Sequence, residues 1–185
     1  MTKPEINAAA AALLLRQPLA GAYALHFLDY RHLVLDGGIL IASFSDYENK
    51  IGKPLPDRLP DGAAVRFQNK ILLFYNDAVS PPSRIAFTIA HELGHVLLGH
   101  AGPTPAEERQ ANRFAAALLM PEAVIRFLDC QAGRPLSPED MTTYFAASLP
   151  ACRRRRREIL PDAPFVPSPE EIRLVRCLFS HESDL

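Results

Sequence analysis

Two consecutive stretches decide how this chain folds: Arg84-Ile-Ala-Phe-Thr-Ile-Ala-His-Glu-Leu-Gly-His95 and Glu108-Arg-Gln-Ala-Asn-Arg-Phe-Ala-Ala-Ala-Leu-Leu-Met-Pro121. The first reads as a helix that is apolar on most sides, through Ile85, Phe87, Ile89, Leu93, Val96 and Leu97. Such a helix expects burial all round. It nevertheless carries His91, Glu92 and His95, and polar groups buried there need a partner or a metal. Residues four apart share a helix face, so both imidazoles can reach one tetrahedral Zn²⁺. Glu92 lies about 100° further round, beside an ion rather than on it, where its carboxylate can take a proton from water. HExxH is short enough to arise by chance. The apolar flanks Ile89, Ala90, Val96 and Leu97 argue against the bland alternative, an exposed helix with two solvated histidines.

A catalytic zinc needs a third protein ligand. His100 is five residues past His95, about 140° off the ligand face if the helix continues, and reads as a surface histidine or at most a substrate contact. Glu107 and Glu108 head the second stretch. Helical phase favours Glu108, which shares a face with Asn112 while Ala111 and Phe114 point to the core; Asn112 then suits a hydrogen bond to a ligand histidine. Glu107 remains the alternative, with a plain role as a first-turn acid at a helix N-terminus.

Working outward, the two helices are expected at about 84–98, with Ser83 as N-cap and Gly99 as C-terminal cap, and at about 106–120, ended by Pro121. Upstream, 5–16 reads as a helix, and 33–44 as a hairpin or paired strands around Asp36-Gly37-Gly38. Residues 46–63, rich in Pro, Gly and Asp, read as a surface loop. Two strands at 65–67 and 71–75 flank Gln68-Asn69-Lys70. Downstream, a helix starts at 122 and the rest reads as helical. Ser137-Pro138-Glu139-Asp140 and Ser168-Pro169-Glu170-Glu171 each offer a serine N-cap, a proline at the first helical position and a carboxylate three residues on.

The blocks Arg84 to His95 and Glu108 to Pro121, in this order, resemble the ImmA/IrrE family of metallo-endopeptidases. The resemblance is firm over about 67–121, and Gly99 before His100 departs from relatives that lack that glycine. It implies an α+β, zincin-like fold: a small sheet, an HExxH helix and a glutamate-bearing helix, then a helical C-terminal part. It also implies a thermolysin-like zinc site on His91, His95 and Glu108, with Glu92 as catalytic base. Members are similar to bacterial and phage regulators that cleave a helix-turn-helix transcriptional repressor. The strand ending Phe74-Tyr75-Asn76 would then be either the edge strand over the zinc, open to a substrate strand, or a simple core strand, with Tyr75 and Arg113 as candidate transition-state donors.

Composition is compatible with that role. With 185 residues and a net charge of −1, the chain has no global field to recruit nucleic acid or a membrane. Its longest apolar run, Ala8 to Leu15, is far too short for a bilayer, and Glu5 and Arg16 argue against a secretory signal. Three widely spaced cysteines, Cys130, Cys152 and Cys177, fit reduced core thiols in a cytoplasmic protein. We expect a metallopeptidase domain over 1–130 and a helical, loosely helix-turn-helix-like segment over 131–185. The run Arg153, Arg154, Arg155, Arg156 and Arg157 wraps around its helix, so DNA contact is the less favoured reading and a solvated helix the plainer one. The leading function is zinc-dependent, site-specific cleavage of a repressor protein; the alternative is a zinc-containing regulator that binds a repressor or DNA without cutting.

Overall fold

The computed structural model describes residues 1–52, 61–102, 104–160 and 163–179. In chain order its elements are α1 (Lys3–Leu14), α2 (Ala24–Phe27), a 3-10 turn (Tyr30–His32), β1 (Ile39–Ser43), α3 (Phe44–Ile51), β2 (Gly62–Phe67), β3 (Lys70–Tyr75), α4 (Pro82–Leu97), α5 (Pro105–Leu119), α6 (Glu122–Ala132), α7 (Pro138–Tyr144), α8 (Leu149–Glu158) and α9 (Pro169–Phe179). The fold is α+β, with one small mixed sheet among the described residues. Two compact units divide the chain: 29–115, and 1–28 together with 116–185. The boundary expected at residue 130 falls inside α6, within the second of these.

In the unit 29–115 the strand order is β1-β3-β2. β3 runs parallel to β1, from Ile39↔Ile71 to Ser43↔Tyr75. It runs antiparallel to β2, from Gly62↔Tyr75 to Phe67↔Lys70. β3 is therefore the central strand: of the two readings of its Phe74-Tyr75 end the core strand holds and the edge strand is corrected, since the edge beside the helices is β2. α4 packs on β2 and β3. Alternation buries Leu73 and Tyr75 on the core-facing side of β3.

Three local expectations also change. The hairpin at 33–44 is a single strand, because β1 finds its partner far along the chain in β3. The stretch assigned to loop at 46–63 contains most of α3 and the start of β2. Ser43 caps α3 by accepting from the Asp46 N–H at 3.0 Å, and Gly52 ends it at φ 69°; residues 53–60 lie outside those described. Helix α4 starts at Pro82, with Pro81 rather than Ser83 at its N-cap. Proline's fixed φ and missing N–H suit it to that first helical position.

In the other unit α1 and α6 pack on α9, and α7 packs on α8 and α2. Ile6, Leu14, Ile125, Met141 and Phe145 are among its fully buried side chains. Both serine caps form as read: Ser137 accepts from Asp140 N–H at 3.0 Å, and Ser168 from Glu171 N–H at 3.2 Å. The arginine run on α8 splits by helical phase. Arg155 is 4% exposed and donates from Nε to the Met120 carbonyl at 3.0 Å. Arg156 pairs with Asp129 at 2.7 Å and Arg153 with Glu139 at 3.3 Å. Cys152 is buried, but Cys130 and Cys177 are exposed, which corrects the expectation of three core thiols.

Candidate metal centre

The site lies wholly within residues 29–115. α4 holds His91 and His95 one turn apart, half-buried, with their Nε2 atoms 3.1 Å from one another. α5 brings Glu108 against both: Oε2 is 3.4 Å from His91 Nε2 and Oε1 is 3.3 Å from His95 Nε2. Around a tetrahedral zinc, with metal–ligand bonds of about 2.0–2.1 Å, neighbouring donor atoms are about 3.3 Å apart. The donor set fits such an ion in number, type and spacing, and these three residues form the one candidate metal group among the described residues.

Two glycines set this geometry. A Cβ on Gly94 would lie 3.0 Å from Ala111 Cα and 3.2 Å from Ala111 O, so α4 and α5 cross with their backbones touching. That close crossing places the start of α5, and Glu108 with it, over the histidines. A Cβ on Gly62 would come within 2.4 Å of Thr88 Cγ2 and 3.2 Å of Glu92 Cγ. Without it, the edge strand β2 lies directly on α4 at the level of Glu92.

The chain ends α4 so as to reuse His100. Gly99, at φ 71°, donates to Val96 O at 3.2 Å, and the His100 N–H donates to His95 O at 3.0 Å. This paired closure of the last turn is a Schellman motif. It folds His100 back onto the ligand helix, where its Nδ1 is 3.1 Å from His95 Nδ1 and its Nε2 is 3.1 Å from Gln110 Oε1. The proton positions follow from the partners. A carbonyl oxygen only accepts, so His100 carries its proton on Nε2 and presents a lone pair from Nδ1. His95 must then carry its proton on Nδ1, which leaves its Nε2 bare towards Glu108 and His91. Burial, followed by the neighbouring His91, pushes the His95 pKa down, favouring the neutral imidazole that binds metal. His91 has no such support among the described residues: its Nδ1 is buried with no hydrogen-bond partner among them.

Glu92 is not part of the ligand cluster. Its carboxylate accepts from the Ala64 backbone N–H, and its pKa is raised by burial and then by the charge of Glu108, against that hydrogen bond. A carboxylate so destabilised takes up a proton more readily, as a general base must. The cleft in front of it, about 600 Å³, is lined by Gly62, Ala64, Arg66, His91, Glu92 and His95, among others.

The other sequence candidates fall elsewhere. Glu107 is occupied as a cap: it accepts from Thr104 Oγ1 at 2.6 Å and Ala101 N–H at 3.0 Å, and these bonds hold its carboxyl at about 2. Asn112 is exposed and is not brought to either histidine, since His95 Nδ1 is engaged by His100 and His91 Nδ1 by none of the described residues. Tyr75 is buried in the central strand, Arg113 is exposed, and neither lines the cleft. Sequence reasoning missed Gly62, Ala64, Arg66 and Gln110. A glycine opening a strand is a known sign of close backbone approach and was the one available signal.

A histidine pair and a glutamate from successive helices, with a second glutamate under an edge strand, define the zincin-like class of metallopeptidase folds. Residues 54–155 match the family profile of the IrrE N-terminal-like domain, peptidase family M78. That is more than half of the chain, and the protein belongs to this family, whose peptidases are in general zinc-dependent. No curated protein matches the chain.

Proposed function

We propose that the protein is a zinc-dependent endopeptidase acting in the cytoplasm on one helix-turn-helix transcriptional repressor. The observation that carries the peptidase reading is the pairing of a three-donor ligand cluster with a destabilised carboxylate at Glu92 that stands outside that cluster. A purely structural zinc prefers four protein ligands and needs no base. Zinc held by His91, His95 and Glu108 would supply Lewis acidity at the peptide carbonyl.

The chain's own residues account for the rest. An extended substrate segment pairs with the free edge of β2. Glu92 takes a proton from the attacking water on its free oxygen and returns it to the departing amine nitrogen. The Ala64 N–H holds that carboxylate in place during both transfers. Support for a repressor substrate comes from the resemblance to ImmA/IrrE regulators. Among the described residues no helix is long and apolar enough to cross a membrane.

The test is co-expression of the protein, or its Glu92→Gln variant, with the helix-turn-helix repressor encoded nearest to it. The repressor should be cut by the wild type and left intact by the variant, which still binds zinc; general-base loss lowers turnover by about 10²–10⁴-fold. Intact repressor that binds both proteins tightly would establish a non-cleaving regulator. Rapid digestion of casein would keep the chemistry and remove the regulatory role.

A further inference from the structure

The edge strand β2 carries a charge that neither the ligand cluster nor the base uses. Gly62, Ala64 and Arg66 alternate onto one face of the strand. Gly62 identifies that face: the methyl group it lacks would meet Thr88 and Glu92 on α4. Arg66 therefore projects over the same helix, about 13 Å along the strand from Gly62 at 3.3 Å per residue, and it lines the cleft with His91, Glu92 and His95.

Arg66 is exposed and has no hydrogen bond or ion pair with any of the described residues. Arg31 and Arg84 of this unit are engaged, with Asp29 at 2.8 Å and with Asp61, while the exposed Arg109 and Arg113 lie outside the cleft lining. The acids of the cleft are spoken for, Glu108 by both histidines and Glu92 by the Ala64 N–H. The residue beside Arg66 in the sheet, Ile71, is apolar.

Backbone direction completes the argument. The Asp61 carbonyl accepts from the Asn76 N–H at 2.8 Å at the start of the β2–β3 ladder, so by alternation along the antiparallel register the main-chain groups of Ala64 face the free edge. Alternation turns those of Arg66 the same way. A peptide paired along this edge places one residue opposite Ala64, next to Glu92, and another opposite Arg66 two positions away. Directly opposed residues project on the same face with Cβ atoms about 4.5–5.5 Å apart, well within reach of a guanidinium fork.

We propose that Arg66 forms a specificity subsite for a carboxylate side chain, Asp or Glu, carried by the substrate two residues from the one that lies opposite Ala64. A planar guanidinium with free donors matches a carboxylate in two parallel hydrogen bonds. The subsite rests on the endopeptidase reading above and narrows it to peptides with an acid at one fixed distance from the cut.

The experiment exposes the full-length, zinc-loaded protein to a peptide library made by digesting a bacterial proteome, and reads the cut sites by mass spectrometry. Wild type should enrich Asp and Glu at a single position within about three residues of the cut, given the two-residue step along the paired strand. Arg66→Gln should erase that enrichment and Arg66→Glu should replace it with Lys and Arg. On a matched pair of peptides, acidic and amide, the wild type should favour the acid by about 10- to 100-fold in kcat/KM, the range for a charge-assisted hydrogen bond, and Arg66→Gln should treat them alike. Enrichment that survives Arg66→Gln, no acidic preference in wild type, or an Arg66→Gln loss equal on both peptides would each overturn the subsite. Cutting no faster than Glu92→Gln would overturn the endopeptidase reading itself, and the subsite with it.

Discussion

The protein gathers charged and polar side chains into a buried cluster and a half-open one, and the two are built on opposite rules. In the helical unit, Glu122 and Glu171 are each 2% exposed and Arg155 4%. Their charges are matched nearby: Glu122 pairs with Lys3 at 2.7 Å and Arg126 at 3.1 Å, Glu171 accepts from the Ser168 N–H at 2.9 Å, and Arg155 reaches Glu158 at 3.5 Å. Three acids face three bases. Around Glu108, by contrast, two carboxylates and two imidazoles converge, and among the described residues no lysine or arginine pairs with Glu92 or Glu108. The first cluster is electrically closed; the second is short of positive charge by about what one divalent cation supplies. Polar burial is thus a poor marker of function by itself. A converging set that lacks its counter-charge is a good one.

That contrast can be broken most sharply at its open end. Glu108→Ala should cost more than about 100-fold in zinc affinity, beyond the 10- to 100-fold typical of residues that only support a ligand. Glu107→Ala should leave the affinity near wild type and lower the melting temperature slightly through loss of the cap. Metal-buffered titration distinguishes them, and the reverse ranking would move the third ligand to Glu107.

The closed end predicts a stability effect with no metal effect. Arg155→Ala leaves Glu122 and Glu171 facing less positive charge in a dry site, and should lower stability by about 3 kcal/mol in urea unfolding, as breaking a buried ion network does. Its exposed neighbour Arg154 should tolerate alanine within about 0.5 kcal/mol. Equal losses at both positions would mean that helical phase does not divide the arginine run.

The smallest expected effect lies between the two clusters in kind. His100→Ala removes the acceptor for His95 Nδ1–H and should weaken zinc binding about 10-fold, at the low end of support-residue effects. His100→Asn, which offers a carbonyl oxygen, should recover part of that. Unchanged affinity in both variants would show that His95 needs no help in choosing its tautomer.

The sequence exposed α4 and α5 to within two residues, and the phase of Glu108 against Glu107, because helical periodicity is local and strong. It also showed Gly99 as the end of α4. The role of His100 was lost at that same residue: a helical-wheel angle of about 140° assumes the helix continues, whereas Gly99 reverses the chain and returns His100 to His95. Sheet order was illegible for a different reason. β1 and β3 pair across about thirty residues, from Ile39 to Ile71, and no local pattern reports which strand is central. Asn112 shows the limit of phase alone. It shares a face with Glu108, yet lies past the point where the helices touch at Ala111.

That touching point has a consequence for how far the sequence can drift. The spacing of α4 and α5 is set by main-chain atoms of Ala111 against Gly94, which have no rotamers to change. Substitutions among the surrounding apolar side chains can alter how firmly the helices are held without altering where they stop. The distance from the histidines to Glu108 is therefore insulated from most mutational wear, and exposed to one kind: a single methyl group at position 94 would press on the Ala111 backbone and keep all three ligands in the chain while straining the spacing between them.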